Sequence, residues 1–312
     1  IFANGTSFHD GYQGSRYVKH LAVMGKMAAM ICVARIFRKP VVWLSASISP
    51  NDRPITRALT SIALRASSLA VLRDEESMEI AKSLGVSRRV RSGADLAPLF
   101  CQGLDLTGIS TTAERVGVSV VPEGLTTTAP HAAAAAFLAE LGRLLGERLS
   151  LMPNARVTVF VIGRGRHDND EAVSSALHEG LARSFPGRVD LVYFEGDPAA
   201  LACEFRQCTA MIAMRLHAAL VSDLLDIKTI GVPYHRKVSD IAAALGVPAE
   251  RVVLPNGEGS AKQVISLLNR PFPDASKEAS EKRSSFLRAA DSNIDAIADE
   301  LPSGSHHRPK HA

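Results

Sequence analysis

Short apolar runs that alternate with helical spans dominate this chain and confine it to a parallel α/β design. In the first half, Ile1 to Ala3 reads as strand, Val18 to Phe37 as helix and Val41 to Ala46 as strand. A loop through Ser47-Ile48-Ser49-Pro50 leads to a helix near Ile55 to Ala66, a strand at Leu69 to Leu72 and a helix near Ser77 to Leu84. Val90-Arg91 and Ala94-Asp95 supply a last edge element. Residues Cys101 to Glu114 are rich in Gly, Thr and Ser and read as a hinge. The pattern then restarts. Strands are expected at Val116 to Val121, Val157 to Ile162, Val189 to Phe194 and Ala210 to Met214, with helices at Pro130 to Leu149, Glu171 to Phe185 and Pro198 to Arg206. Two doubly wound, Rossmann-like domains follow from this order.

The expected boundaries are 1–107 for an N-terminal domain, 108–270 for a C-terminal domain, 271–300 for a C-terminal helix and 301–312 for a disordered tail. The helix, Ser276 to Ile297, is amphipathic and expected to fold back across the hinge. Ile1-Phe2-Ala3 already reads as a strand entering a glycine turn, so the N-terminal domain is expected to be incomplete at its start.

A chain of 312 residues, 46% hydrophobic and 22% charged, is long enough for two cores. Its 36 basic and 32 acidic residues leave a formal charge of +4, too balanced for generic nucleic-acid binding. Aromatics at 5% argue against base-stacking platforms. Cys32, Cys101, Cys203 and Cys208 form no C-x-x-C pair and have no His at zinc spacing, so reduced, mostly buried thiols and a cytoplasmic setting are expected, with no metal site. No run reads as a membrane span, since Leu21 to Phe37 is broken by Lys26 and Arg35.

The chemistry concentrates in two places. Ala213-Met214-Arg215-Leu216-His217 carries Arg215 and His217 where a strand hands over to a helix N-terminus, and Val232-Pro233-Tyr234-His235-Arg236-Lys237 sets Tyr234, Arg236 and Lys237 at the next loop. Free N–H groups and the positive helix dipole collect there, so cations at that point make sense when an anion visits. Alone, Arg215 paired with Asp223 or another core-edge carboxylate, beside a satisfied interior His217, would be the simpler account. The second basic cluster tips the balance to a ligand site.

In the first half, Arg73 closes the strand Leu69 to Leu72 and precedes Asp74-Glu75-Glu76-Ser77, an acidic helix start. A surface pair with Asp74 or Glu76 is the alternative for Arg73. Asn4, Gly5 and Ser7, with Asp10, form a turn that would let backbone N–H groups approach a ligand. Asp168 and Asp170 follow a glycine-rich strand end; they read as caps for the next helix rather than as sugar ligands.

These residues together resemble the polysaccharide pyruvyl transferase family. The resemblance runs from the first residue to about Gly246, on Asn4-Gly5-Thr6-Ser7-Phe8-His9-Asp10, Ser47-Ile48-Ser49-Pro50, Arg73-Asp74-Glu75-Glu76-Ser77, Asp95, Arg215-Leu216-His217 and Tyr234-x-x-Lys237. The chain departs from the family at His235-Arg236, where an Asp-Pro-like pair is usual. The resemblance implies a B-type glycosyltransferase architecture, an acceptor-side N-terminal domain and a donor-binding C-terminal domain. It also implies transfer from phosphoenolpyruvate, a co-substrate rather than a cofactor, to a sugar diol in the making of an exopolysaccharide of the cell envelope.

Phosphoenolpyruvate brings a phosphate and a carboxylate, which Arg73, Arg215 and Lys237 would share. His217 is the expected general acid/base and Lys237 or Arg215 the stabiliser of the leaving phosphate. Tyr234, Arg236, Asn4, Gly5, Ser7 and Asp10 are assigned to substrate binding. The alternatives are a nucleotide-sugar glycosyltransferase of the same fold and a non-catalytic anion-binding module. A lipid-linked acceptor would bring the protein to the inner face of the membrane, where its basic faces would meet an anionic leaflet.

Overall fold

The computed structural model of the chain describes residues 2–3, 6–10, 13–49, 51–106, 109, 114–165, 168–271 and 277–300. Asn4, Gly5 and the tail from Leu301 lie outside the described residues, as do the side chains of Ser7 and Asp168. The chain divides into two compact units, Ile1–Leu99 with Ser285–Ala312 and Phe100–Ser284.

The first unit contains β1 (Phe2–Ala3), β2 (Thr6–Phe8), α1 (Gly14–Ile36), β3 (Val42–Ile48), α2 (Pro54–Ala66), β4 (Leu69–Leu72), α3 (Glu75–Ser83) and β5 (Val90–Ser92). Both β1 and β2 pair with β3, which pairs with β4 and then β5, all in parallel. All seven residues of β3 are buried, as suits a strand covered on both faces. Pro54 opens α2 at the one helical position where its missing N–H costs nothing. Asp74 caps α3 by accepting from Ser77 N–H at 2.8 Å. On one face Phe8 stacks on Trp43 at 5.1 Å, and the indole N–H donates to Ser67 Oγ at 2.7 Å, so the ring is buried without an orphan donor.

The last helix, α11 (Lys277–Glu300), which follows the ten helices named here and below, covers the other face. Ala296 and Ile297 pack on Val42, Leu44, Leu69 and Val71. Asn293 is fully buried there; its Nδ2 donates to Ala94 C=O at 2.8 Å and its Oδ1 accepts from Ala94 N–H at 3.3 Å. Gly93 leaves the room: a Cβ there would lie 2.0 Å from Asn293 Oδ1.

Sequence reading excluded a membrane span, and α1 corrects it. Among the described residues α1 is one helix long and apolar enough to cross a membrane by length and composition. Lys26 and Arg35 do not break it, because they are spread over a long helix whose other residues are largely apolar. Met24, Ala28 and Ile31, at helical spacing, are buried in the core of the first unit, which ties α1 to the domain.

The short helix α4 (Ala97–Gln102) carries the chain from one unit to the next. The second unit holds β6 (Arg115–Ser119), α5 (His131–Leu151), β7 (Arg156–Val161), β8 (Arg164–Gly165), β9 (Asp168–Asn169), α6 (Glu171–Ala182), β10 (Val189–Tyr193), α7 (Pro198–Arg206), β11 (Ala210–Ala213), α8 (Leu216–Leu224), β12 (Lys228–Gly231), α9 (Arg236–Ala244) and α10 (Glu258–Asn269). The parallel sheet runs β10-β7-β6-β11-β12, while β8 and β9 form a separate antiparallel pair. Side chains alternate between its faces: Ile212 and Met214 enter one cluster with Val116 and Val118, whereas Met211 and Ala213 enter another with Phe160 and Phe205. Chain order reverses at β6, with β7 and β10 laid down on one side and β11 and β12 on the other. The C-terminal ends of β6 and β11 therefore flank the switch point, where α/β sheets open a crevice for ligands.

All four cysteines are free thiols. Only Cys208 is buried, so the expectation of mostly buried thiols is corrected: Cys32, Cys101 and Cys203 lie at half-buried positions on helices. Burial pushes the Cys208 thiol up to about 12.

Candidate functional site

Arg215 leaves the end of β11 as the N-cap residue of α8, so its backbone sits at the switch point and its N–H donates to Ser119 Oγ, at the end of β6, at 3.3 Å. Its side chain is buried, an uncommon place for a guanidinium unless a partner neutralises it. The partner is Asp170: Arg215 Nε donates to Asp170 Oδ2 at 2.9 Å. Asp170 is fully buried and also accepts from Gly163 N–H, just past β7, at 3.1 Å. Arg215 thus pairs with a core-edge carboxylate, as the simpler account from sequence allowed, and that carboxylate is Asp170; Asp223 lies in α8, where burial pushes its carboxyl up. The expectation that Asp170 caps the next helix is corrected. Asp170 holds the N-cap position of α6, yet its carboxylate makes no capping bond and turns to Arg215 instead. The charge-assisted bond is the stronger of the two choices in a buried setting.

Tyr234 lies beside this pair, with the Arg215 guanidinium carbon 5.7 Å from its ring centroid, within cation–π range. The loop carrying Tyr234 is pinned from the segment after β6. Thr127 N–H donates to Tyr234 C=O at 2.8 Å, and Thr128 Oγ1 donates to Pro233 C=O at 2.5 Å. These threonines are positioning residues that sequence reasoning missed, because a polar side chain reaching a distant carbonyl leaves no periodic signal.

His235 is the N-cap of α9, and its Nδ1 accepts from Lys237 N–H at 3.2 Å. That bond requires a neutral Nδ1, and the protein favours it: burial lowers the His235 proton affinity, the Lys237 charge lowers it further and Asp240 offsets part of this. His217 lies in the first turn of α8, two residues from Arg215, and is exposed rather than interior. Lys237 is half-buried in the first turn of α9. Arg236 is directed to solvent, 79% exposed, and pairs with Asp240 at 3.5 Å on the same helix. Arg215, Tyr234, the His235 cap and the two helix N-termini thus belong to one sheet edge. Arg236 contributes charge at its periphery.

In the first unit, Arg73 follows β4 and its Nη1 donates to Asp95 Oδ2 at 2.5 Å, with both side chains largely buried. The local pair with Asp74 or Glu76 weighed from sequence is therefore replaced by one between the segments that follow β4 and β5. Asp74 instead accepts from Ser47 Oγ at 2.6 Å while capping α3, which joins the ends of β3 and β4. Asp10 uses Oδ2 to accept from Arg53 N–H at 2.7 Å, and its Oδ1 is buried with no hydrogen-bond partner. Among the described residues no three His, Cys, Asp or Glu side chains are grouped to hold a metal ion.

A family model described as polysaccharide pyruvyl transferase matches residues 8–236. A search of curated proteins gave no match. Among solved structures, a UDP-forming α,α-trehalose-phosphate synthase from Burkholderia xenovorans in complex with glucose-6-phosphate superposes with a TM-score of 0.59 at 11% identity, over 93% of this chain and 79% of that one. A putative UDP-N-acetylglucosamine 2-epimerase from Listeria monocytogenes gives 0.54 at 11% identity, over 93% and 82%. Anabaena HepE in complex with UDP and glucose gives 0.52 at 14% identity, over 91% and 76%. Such distant likeness establishes the fold, two Rossmann-like units of the B-type glycosyltransferase kind. The family model spans most of the chain and takes in Arg73, Asp95, Asp170, Arg215, His217, Tyr234 and Arg236, and the chain belongs to the polysaccharide pyruvyl transferase family.

Proposed function

We propose that this protein moves the enolpyruvyl group of phosphoenolpyruvate onto two hydroxyls of a sugar in a polysaccharide or its precursor, closing a pyruvate ketal and releasing phosphate. The observation that carries this reading is the buried Arg215, held by Asp170 at the switch point beside Tyr234 and two helix N-termini. A fixed guanidinium at such a place suits a ligand with both a carboxylate and a phosphate, because its planar fork binds either group bidentately.

Protonation of the donor methylene carbon makes the adjacent carbon electrophilic, and one sugar hydroxyl adds there. Phosphate leaves with the electrons of its C–O bond, and the second hydroxyl closes the ring as its proton is taken up. His217 is assigned the proton transfers, since an imidazole can both give and take a proton and this one is exposed in the first turn of α8, two residues from Arg215. Arg215 and Lys237 are assigned to the phosphate and carboxylate. No metal is required by this chemistry if the fixed cations converge.

The test is acceptor-dependent phosphate release from phosphoenolpyruvate, read together with the mass of the glycan product. Equal phosphate and ketal, lost in His217→Ala and Arg215→Ala, support the assignment. Phosphoenolpyruvate that binds and never turns over with any acceptor points to an anion-binding module. Stabilisation by a nucleotide diphosphate sugar and not by phosphoenolpyruvate points to a glycosyltransferase.

A further inference from the structure

Helix α1 has two apolar faces, and the core of the first unit accounts for one of them. Met24, Ala28 and Ile31 point inward. On the rest of its surface and just beyond its end, Val18, Val23, Met30, Val33, Ile36 and Phe37 are each more than half exposed, from 51 to 75%. A helix on the outside of a domain ordinarily carries polar residues there. Helix α2, which packs against α1, adds exposed Ile55 and Ile62.

The charge around this face has one sign. Between Asp10 and Asp52 the sequence holds six cations, Arg16, Lys19, Lys26, Arg35, Arg38 and Lys39, and no carboxylate. All six are exposed. Lys19 and Lys26 are seven residues apart and fall on the same outward stripe as Val33.

We infer that α1 is a membrane-surface helix that seats the first unit on an anionic bilayer. Exposed aliphatic side chains flanked by Lys and Arg are what an interfacial helix presents to the boundary between headgroups and acyl chains. Lysine and arginine stems reach along the apolar surface while their charges stay at the phosphates. The helix lies on the bilayer and does not span it, because Met24, Ala28 and Ile31 are held in the domain core. Docking through α1 requires nothing of the donor chemistry proposed above. It supplies a reason for a lipid-borne acceptor to reach this protein.

The experiment is co-sedimentation of the full chain with vesicles of phosphatidylcholine alone or with added phosphatidylglycerol. Wild type, Lys19→Glu/Lys26→Glu and Val33→Asp/Ile36→Asp are compared, each checked for unchanged circular dichroism and melting. The expected result is binding that needs the anionic lipid, weakens with salt, and drops by about tenfold or more in the charge-reversed variant. The Asp variant is expected to lose binding as well. Folded wild type that ignores anionic vesicles, or binds both vesicle types equally, overturns the inference. So does a soluble dimer that both variants dissociate, which would make a second copy the occupant of this face.

Discussion

Asp170 and Arg215 stand 45 residues apart in sequence, and their side chains meet at 2.9 Å with Asp170 fully buried. The pair joins the end of β7 to the end of β11 across β6, so it braces the sheet edge that carries the candidate site. Removing Asp170 takes this ion pair from a guanidinium that stays buried. Asp170→Ala is expected to cost about 3–5 kcal/mol in a urea unfolding series. Asp170→Asn, which keeps an acceptor and loses the charge, is expected to fall between this variant and wild type. A loss below about 1 kcal/mol in Asp170→Ala would show that the bridge is not a structural anchor.

The His235 cap makes stability depend on pH in a definite direction. Its folded-state proton affinity is lowered, chiefly by burial and next by Lys237, so below 6.5 the unfolded chain binds more protons than the folded one. Stability from this group therefore rises with pH, is complete above 6.5, and is lost as acid drives the proton on and breaks the Nδ1 acceptor bond. His235→Asn keeps a capping acceptor and does not titrate in this range. The melting temperature of that variant should decline less than that of wild type on acidification below 6.5. Equal declines would assign the pH sensitivity elsewhere.

Gly93 and Asn293 fit together too closely for a methyl group. A Cβ at position 93 would meet Asn293 Oδ1 at 2.0 Å and Val71 Cγ1 at 2.4 Å, and both neighbours are buried. Gly93→Ala is expected to cost about 1–3 kcal/mol and to expose the C-terminal half of α11 to limited proteolysis. Asn293→Ala should open the same segment by removing both bonds to Ala94. Unchanged protease resistance in both variants would refute this account of α11 docking.

Much of the fold was legible because its strands are short, continuous apolar runs. Leu69–Leu72 and Pro198–Arg206 have the bounds that the sequence pattern predicts, and Leu216–Leu224 follows from its helical spacing. Lys228–Gly231 was not read as a strand, since a lysine, a threonine and a glycine dilute its single Ile. The helices Arg236–Ala244 and Glu258–Asn269 went unassigned for a related reason, being polar at their starts. At the candidate site, the placement of Arg215, His217, Tyr234 and Lys237 at strand-to-helix junctions was legible from the residue pattern. Asp170 as the partner of Arg215 was not: its capping position offered a sufficient local role, and the contact is made by strand order. Thr127 and Thr128 were silent for the same reason.

Calorimetric titration of phosphoenolpyruvate into wild type and Arg215→Ala tests the donor assignment most directly. Arg215→Ala leaves Asp170 buried and unpaired, so its fold is verified first and Arg215→Lys, which keeps the charge without the planar fork, is run beside it. Saturable binding to wild type is expected, weakened about tenfold or more in Arg215→Lys and further in Arg215→Ala, as loss of a charge-assisted bidentate contact requires. Folded Arg215 variants that bind phosphoenolpyruvate as tightly as wild type would contradict the assignment of this buried arginine to the donor.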